Sequence, residues 1–195
     1  PIEKENDEFA RDLLASRVGP PMLRRKKSEV AKDLPPKTEM IRSVELEGPQ
    51  RDLYETIRAS MEQRVQEVIS EQGMERAHLY ILDALLKLRQ VCCHPHLLDL
   101  EAAQSVDSSA KMDLLFEMLP EMVAAGRRIL IFSQFTSMLG LIEKRVIAEG
   151  IDHVKLTGNT RNRSALVKKF QTGKIPIFLI SLKAGGVGLN LTKAD

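Results

Sequence analysis

The sequence has 195 residues, of which 43% are hydrophobic and 29% are charged, so it can bury a core and is not typical of a disordered chain. Its formal net charge of +2 at pH 7 is too small to indicate nucleic-acid binding, which has to be inferred from local clusters. No apolar run reaches the length of a membrane span and the N-terminus lacks the features of a secretory signal, so we expect no membrane partner.

Residues 1–48 predict a connector. They contain a helical start, the basic cluster Arg24–Lys27 and the helix-breaking run Leu34–Pro36. The alternation of apolar and acidic residues at Val44–Glu47 is typical of a short strand. A cluster of charges is by itself more often solvated than bound to a partner, so the basic cluster alone assigns no site.

Residues 49–100 predict a pair of helices, because apolar residues recur at helical spacing in two runs. Gly73 is expected to separate the two helices. The first run contains Leu53, Ile57, Met61, Val65, Val68 and Ile69, and the second contains Leu79, Leu82, Leu85, Leu86 and Leu88.

Cysteine and histidine concentrate at the end of the second predicted helix, in Cys92–His96. The cluster suggests zinc, but no second ligand pair with the spacing of a structural site occurs elsewhere in the chain. We therefore expect a packed helix end and no metal. The cysteines are sequence neighbours, which rarely meet disulfide geometry, and this favours a reducing compartment.

Residues 101–195 alternate between helices and strands. The strands are apolar along their length, which favours a parallel sheet covered on both faces. Ser108 or Ser109 is expected to cap the first helix, and Gly126 and Gly150 fall where helices should end. The predicted helices are 110–124, 137–149 and 162–171, and the predicted strands are 128–133, 153–157 and 175–180.

A polar loop follows each predicted strand, at Ser133–Thr136, Thr157–Arg163 and Ser181–Gly186. Because the carboxyl ends of parallel strands meet at one edge of a sheet, the three loops should form one surface. Hydroxyls, glycines and cations suit phosphate groups, so this surface could grip a polyanion backbone without reading bases. Each loop taken alone is also explained by ordinary turn and capping chemistry.

The usual nucleotide-binding signatures are absent. Thr172–Ile175 has a Gly-Lys pair without the preceding glycine or the following hydroxyl of a phosphate loop. Gly185–Gly188 misses the dinucleotide fingerprint because Leu191 stands in place of the third glycine. Asp7-Glu8 follows no strand, so it does not predict a magnesium-binding pair. The chain by itself is expected to lack a phosphate-cleaving site, and we assign it no catalytic residue.

The loops nevertheless resemble the motifs of one family. Arg128–Phe135, Leu156–Thr160 and Phe178–Asp195 resemble motifs IV, IVa and V of the Swi/Snf-type ATPases in helicase superfamily two. The family's connector and helical-protrusion signatures are matched upstream. Those upstream segments are Met22–Val30, Asp33–Glu39 and Leu88–Leu98.

The resemblance implies an α/β fold in which a parallel-sheet, RecA-like C-terminal helicase lobe follows an all-helical protrusion. The implied domains are an interlobe connector at 1–48, the protrusion at 49–100 and the lobe at 101–195, incomplete because motif VI should lie beyond Asp195. Since the chain opens and closes inside apparent structure, we expect a piece of a longer protein. A first RecA-like lobe would supply the phosphate loop and the acidic pair.

The resemblance also implies the second motor lobe of an ATP-dependent double-stranded-DNA translocase, which closes on ATP bound mainly by the first lobe. ATP and Mg²⁺ are expected in the full-length protein, whereas this fragment alone should be inactive and need no cofactor. The implied partners are the backbone of double-stranded DNA, the first lobe and further proteins bound by the parent. Its location would be the cytoplasm or nucleoid of a bacterium, or a eukaryotic nucleus.

Site residues follow by position from the matched motifs. Asn159 stands where the family usually has serine, and Arg163 is included on its charge alone. The implied DNA-binding residues are Gln134, Phe135, Thr136, Gly158, Asn159, Arg163, Ser181 and Lys183, and the implied nucleotide-binding residues are Gly186, Gly188 and Asn190.

Two other classes of function stay open. The first is a non-catalytic module in which the α/β scaffold and the helices present a surface to another protein. The second is a free-standing α/β enzyme that uses Cys93 and a nearby histidine. The second is disfavoured, because a nucleophile on the helical appendage would lie away from the sheet edge where such folds place their sites.

Overall fold

The computed structural model describes residues 8–20, 22, 38–186 and 189–194. The chain divides into two compact units, Pro1–Arg42 and Ser43–Asp195. The first unit contains helix α1 (Glu8–Val18). The basic cluster Arg24–Lys27 and the breaker Leu34–Pro36 lie outside the described residues.

The second unit contains a helical pair followed by an α/β half. We call α2 and α3 the helical arm, and the part from α5 onward the α/β lobe. The elements are α2 (Gly48–Gln72), α3 (Met74–Cys93), a 3-10 turn (Pro95–Leu97), α4 (Glu101–Gln104), α5 (Ala110–Ala124), β1 (Ile129–Ser133), α6 (Thr136–Ala148), β2 (His153–Leu156), α7 (Arg163–Thr172), β3 (Ile177–Ser181) and α8 (Leu182–Gly185).

The helical arm forms as the two apolar runs predict. Pro49 lies in the first turn of α2, where its fixed φ suits a helix and its missing N–H is not needed. Gly73 joins the two helices with φ 79° and ψ 169°, a conformation that is nearly restricted to glycine. The expected helix break at Gly73 is therefore confirmed.

The arm buries less of its apolar surface than the two runs suggest. Leu53, Ile57 and Val68 of α2 are buried, but the leucines of the second run are mostly exposed. On α3 the buried positions are Ala77, Ala84 and Val91. The exposed leucines of α3 are Leu79, Leu82, Leu85 and Leu86.

The predicted strand at Val44–Glu47 is wrong. This segment has no regular secondary structure, although Val44 and Leu46 are half-buried and the acidic residues between and after them are exposed. The alternation thus reflects a segment without regular structure in which the apolar side chains on one side are partly buried. A strand also needs a neighbour to pair with, and the sheet found in the described residues consists of β1, β2 and β3.

The sheet has the order β1-β3-β2, and all of its strands are parallel. Every residue of the central strand β3 is buried. Ile177 and Leu179 belong to a core formed with α5 and α6, whereas Phe178 and Ile180 belong to a second core formed with α7 and β2. The prediction of a parallel sheet covered on both faces is therefore confirmed at β3.

The helix ends in the lobe follow the local sequence signals. The Ser109 hydroxyl accepts a hydrogen bond from Met112 N at 3.3 Å, so Ser109 caps α5. Gly126 and Gly150 follow α5 and α6 with φ 76° and 69°. Glycine is favoured at these two positions because side chains rarely adopt a positive φ.

A buried glutamine joins the helical arm to the α/β lobe. Gln50 is 2% exposed; its Nε2 donates to the carbonyl of Val91 at 2.8 Å and its Oε1 accepts from Ala110 N at 2.9 Å. The Ser109 hydroxyl also donates to the carbonyl of Cys93 at 2.8 Å. These contacts tie the last turn of α3 to the beginning of α2 and of α5.

Candidate functional site

The carboxyl ends of the three strands lie together at one edge of the sheet. Ser133 at the end of β1 pairs in register with Ser181 at the end of β3, and Leu156 of β2 pairs with Ile180. Adjacent strands are roughly 5 Å apart, so the end of β3 lies about that far from the end of β1 on one side and from the end of β2 on the other. The three loops predicted to share an edge do share it.

The loop after β1 presents one polar side chain and the beginning of a helix. Gln134 and Thr136 are exposed, and Thr136 is the first residue of α6. Phe135 is half-buried and packs against the lobe core, while its N–H donates to the Ser133 hydroxyl at 3.2 Å. The Oε1 of Gln134 accepts a hydrogen bond from Arg89 of α3.

The loop after β2 is a tight turn with Gly158 and Asn159 exposed at its tip. Thr157 N donates to the hydroxyl of Thr160 at 3.0 Å, and Thr160 N donates to the carbonyl of Thr157 at 3.2 Å. Arg163 is the first residue of α7 and is half-buried. A cation gains nothing from the positive end of a helix dipole, so Arg163 is not explained by helix stability.

The loop after β3 begins with a single helical turn, α8. Ser181 is 2% exposed, and its hydroxyl caps that turn by accepting from Ala184 N at 3.3 Å. Lys183 is exposed on the same turn and forms no ion pair with another described residue. Ser181 thus fixes the turn that presents Lys183, while its own hydroxyl is buried.

The residues implied to face a nucleotide lie just after this turn. Gly186 and Asn190 are exposed, whereas Gly188 lies outside the described residues. The side chain of Gln171 holds this segment from α7, because Nε2 donates to the carbonyl of Asn190 at 2.7 Å and Oε1 accepts from Lys193 N at 3.1 Å. Gln171 therefore ties the segment around Asn190 to α7.

Gly185 is closely packed at the same place, against the side chains of Ile180 and Phe132. A Cβ at Gly185 would lie 3.0 Å from Cγ2 of Ile180 and 3.1 Å from Cε1 of Phe132. At Gly186 a Cβ would come no closer than 3.6 Å to the carbonyl of Leu182, an ordinary contact. The first glycine of this pair thus has tightly packed neighbours, whereas the second has none.

The chain also matches known proteins along most of its length. Residues 1–97 match the SNF2-related domain, and residues 110–195 match the helicase conserved C-terminal domain. The Sulfolobus solfataricus SWI2/SNF2 ATPase core domain aligns with all of this chain and 40% of its own, with a TM-score of 0.65 and 29% identity. The chain belongs to the Swi/Snf-type family of helicase superfamily two. The predicted α/β fold with a RecA-like parallel sheet is thereby confirmed.

Curated Swi/Snf-type relatives are much longer than this chain. Chromodomain-helicase-DNA-binding protein 1-like of Danio rerio is 34% identical over 193 residues, which are 94% of this chain and 18% of that protein. The putative ATP-dependent helicase/translocase YwqA of Bacillus subtilis is 34% identical over 202 residues, covering all of this chain and 22% of that protein. The chain therefore spans less than a quarter of the length of either relative.

The two described residues implied to face a nucleotide lie apart from the cavity next to the helical arm. Gly186 and Asn190 are both exposed. A cavity of about 580 Å³ lies elsewhere, between α3 and the end of β1, and neither residue lines it. No group of three or more His, Cys, Asp or Glu side chains in the described part of the chain is arranged to hold a metal ion.

The cysteine and histidine cluster of this Swi/Snf-type chain is a packed helix end. His94 is 5% exposed, and its Nδ1 accepts from His96 N at 3.1 Å. Burial lowers the pKa of His94. Burial also raises the pKa of the Cys92 thiol, the opposite of what an activated nucleophile needs. Cys93 packs against the lobe core, which does not favour the free-standing cysteine enzyme.

Three polar residues of this Swi/Snf-type chain make contacts that no sequence motif indicates. Gln50, Arg89 and Gln171 each bind a partner between 19 and 60 residues away in the sequence. Local spacing carries no signal for such contacts. For Gln50 the sequence does carry a signal, because this polar residue lies three residues before Leu53 and seven before Ile57, on the buried side of α2. Among the described residues, no helix combines the length and the apolar character that a membrane crossing requires.

Proposed function

We propose that the α/β lobe is the second motor lobe of an ATP-dependent double-stranded-DNA translocase and that its sheet edge grips the DNA backbone. The observation that carries this proposal is the alignment of three polar loops at the carboxyl ends of β1, β3 and β2. The family membership supports a motor role, and the match of residues 110–195 to a helicase C-terminal domain supports the second lobe. The same match supports the predicted boundary between protrusion and lobe near residue 100.

The grip uses donors that suit phosphate oxygens. Lys183 supplies a charge from the central loop, and Gln134 and Asn159 supply side-chain amides from the two flanking loops. Gly158 and Thr136 offer backbone N–H groups at a turn and at the beginning of α6. Such contacts hold the position of a duplex and carry no sequence information. The proposed translocase therefore binds duplexes of any sequence.

Two residues have supporting parts in this grip. Ser181 acts by capping the turn that presents Lys183, and Phe135 acts by packing the Gln134 loop onto the lobe core. Arg163 adds a cation beside the β2 loop. Gly186, Gly188 and Asn190 are proposed to face the nucleotide, with ATP and Mg²⁺ held mainly by a first lobe. Double-stranded DNA and that first lobe are the proposed partners, in a nucleus or a bacterial nucleoid.

The DNA contact is tested by comparing two lysine substitutions. Lys183→Ala removes a charge from the sheet edge, whereas Lys144→Ala removes the same charge from the outer part of α6. We expect Lys183→Ala to weaken duplex binding roughly three- to tenfold at low salt and to reduce the slope of log K against log salt by about 1. The measurement is fluorescence anisotropy with a labelled duplex. Equal effects of the two substitutions would contradict the proposal.

The division of labour is tested by ATP hydrolysis. The chain by itself is expected to give no hydrolysis above background, with or without duplex DNA, because ATP and Mg²⁺ are proposed to be held mainly by a first lobe and the residues proposed to face the nucleotide, Gly186 and Asn190, are exposed. The assay is phosphate release at saturating ATP and Mg²⁺. DNA-stimulated hydrolysis by this chain alone would show that no first lobe is needed.

A second candidate function rests on the arm. Leu79, Leu82, Leu85 and Leu86 leave an aliphatic face of α3 exposed, which favours contact with another protein. This is the non-catalytic interaction module left open by the sequence. The anisotropy experiment separates the two candidates. A lobe that grips DNA should bind the duplex more tightly than its Lys183→Ala variant does, whereas for an interaction module the unmodified chain and the variant should bind duplex DNA equally weakly.

A further inference from the structure

The helical arm reaches the candidate DNA-binding edge through one side chain. Arg89 lies four residues before the end of α3, and its Nη2 donates to Oε1 of Gln134, 45 residues later in the chain. Gln134 follows β1 directly and is exposed. Arg89 therefore connects the region matched as an SNF2-related domain with the region matched as a helicase C-terminal domain.

The chemistry of this contact determines which way the glutamine amide faces. A guanidinium group has five N–H donors and no acceptor, so the atom of Gln134 that meets it has to be the oxygen. The amide nitrogen then faces away from Arg89. Among the described residues nothing accepts a hydrogen bond from Nε2 of Gln134, so both of its hydrogens remain available to a ligand.

The backbone that carries Arg89 is itself fixed to the lobe. The carbonyl of Val91 accepts from Gln50, and the carbonyl of Cys93 accepts from Ser109, both at 2.8 Å. Gln50 and Ser109 are buried. The C-terminal end of α3 is thus fixed within one turn of Arg89, and this limits where the guanidinium can lie.

The charge of Arg89 is not neutralised by another described residue. None of the ion pairs among the described residues includes Arg89. Lys111 lines the same cavity as Arg89 and Gln134. A cation bound to the oxygen of an amide polarises the amide and strengthens its N–H groups as donors. An anion is therefore the favoured ligand for the outward face of Gln134.

We propose that Arg89 is a positioning residue, which holds Gln134 by its oxygen and turns the amide nitrogen outward to donate to a DNA phosphate. The proposal rests on the proposed function for its ligand and goes beyond it by giving the helical arm a part in the DNA grip. The C-terminal end of α3, through Arg89, sets the orientation of the Gln134 amide on the sheet edge. Arg89 acts through Gln134 and does not contact the phosphate itself.

The contact is tested first without DNA, by the side-chain amide signals of Gln134 in a ¹⁵N–¹H NMR spectrum of the whole chain, assigned with Gln134→Ala. Arg89→Ala is expected to shift these signals and to speed their exchange with water. Arg76→Ala removes the same charge from an exposed site on α3 and is expected to leave them unchanged. Signals that do not respond to Arg89→Ala would overturn the positioning role, whatever the chain binds.

The ligand is tested by a double-mutant cycle on duplex affinity. Arg89→Ala and Gln134→Ala are each expected to weaken binding roughly three- to tenfold, and the double variant should be little weaker than either single variant. Fully additive losses would overturn the positioning role, because Arg89 would then act independently of Gln134. If Gln134→Ala binds DNA normally while the NMR response to Arg89→Ala is seen, the DNA-binding role of Gln134 is overturned instead.

Discussion

The helical arm and the α/β lobe both contain segments rich in apolar residues, but they bury these residues to very different extents. On α3, Leu79 and Leu82 are 76% and 62% exposed, whereas every residue of β3 is buried. Both segments are rich in leucine, isoleucine or phenylalanine. The difference shows that an apolar pattern identifies an element and its apolar face, while burial depends on what covers that face.

The covering elements explain the contrast. Strand β3 has β1 and β2 at its two edges and helices on both faces, so its side chains alternate between two cores. Helix α3 packs along its length against α2, and its buried positions are Val91 and the small residues Ala77 and Ala84. Small residues let two helices approach closely and leave the leucines on other faces.

The largest predicted effect compares one leucine from each region. Leu179→Ala in β3 should lower the free energy of unfolding by about 2–5 kcal/mol, because it leaves a cavity in a closed core. Leu82→Ala on α3 should change it by less than about 0.5 kcal/mol. Urea unfolding followed by circular dichroism measures both. Similar losses would mean that the exposed face of α3 is covered in solution.

The junction between the regions comes next in size. Gln50→Ala leaves the carbonyl of Val91 and the N–H of Ala110 without their partner, so we expect a loss of about 1–3 kcal/mol. Gln63→Ala, on an exposed part of α2, is the matched control and should change stability by less than about 0.5 kcal/mol.

The same variant also tests whether arm and lobe unfold together. The chain has no tryptophan, and its two tyrosines, Tyr54 and Tyr80, both lie in the arm. Tyrosine fluorescence therefore reports on the arm, while circular dichroism reports on the whole chain. We expect the two transitions to coincide in the unmodified chain and to separate in Gln50→Ala. Coincident transitions in Gln50→Ala would mean that this residue does not couple the regions.

A smaller effect is expected at the turn of the arm. Gly73→Ala forces a side chain into a conformation with φ 79° and ψ 169°, which should cost roughly 1–2 kcal/mol and be seen in tyrosine fluorescence. Gly158→Ala in the lobe is the control, since a Cβ there meets nothing within 4 Å and the backbone needs no positive φ. A loss at Gly158 as large as that at Gly73 would contradict this explanation.

The smallest effect is a pH dependence of stability that originates at His94, directly after the C-terminal end of α3. Burial lowers the pKa of His94 below its ordinary 6.5, with a further contribution from His96, and Asp107 and Asp113 oppose the shift. The unfolded chain then binds more protons than the folded chain just below pH 6.5. Stability from neutral His94 is present above that pH and is lost as the pH falls through the folded-state pKa.

The measurement is the urea midpoint between pH 7.5 and 5. His94→Asn should flatten the decrease, because an asparagine oxygen can accept from the N–H of His96 without taking up a proton. His78→Asn, at an exposed site on α3, should keep the decrease. A decrease that survives His94→Asn in full would assign it to other groups.

Local signals predicted much of the lobe because its boundaries depend on neighbouring residues. Ser109 caps α5 by accepting from the N–H of Met112, three residues later, and Gly150 ends a helix through its own φ. The predicted strand ends agree with β1, β2 and β3 to within one or two residues. The strand at Val44–Glu47 failed because pairing requires a second strand, which alternation alone does not reveal.

The candidate site was predicted in its parts but not in its connections. The motif resemblance supplied Gln134, Asn159 and Lys183, and parallel topology placed their loops at one edge. Neither indicated that Arg89 holds Gln134 or that Gln171 holds the segment of Asn190. Those contacts join helices to loops that are distant in sequence, so they depend on the packed fold.

By itself, the sequence determined most of the elements, the parallel α/β class and the family, because helix caps, apolar periodicity and sequence motifs are all local properties of the chain. The tertiary structure alone decided that β3 lies between β1 and β2, that Ser181 is buried while Lys183 is exposed, and that most of the α3 leucines are exposed. Strand order, burial and side-chain partners are set by which elements pack together. That packing places Arg89 and Gln134 in contact across 45 residues of chain.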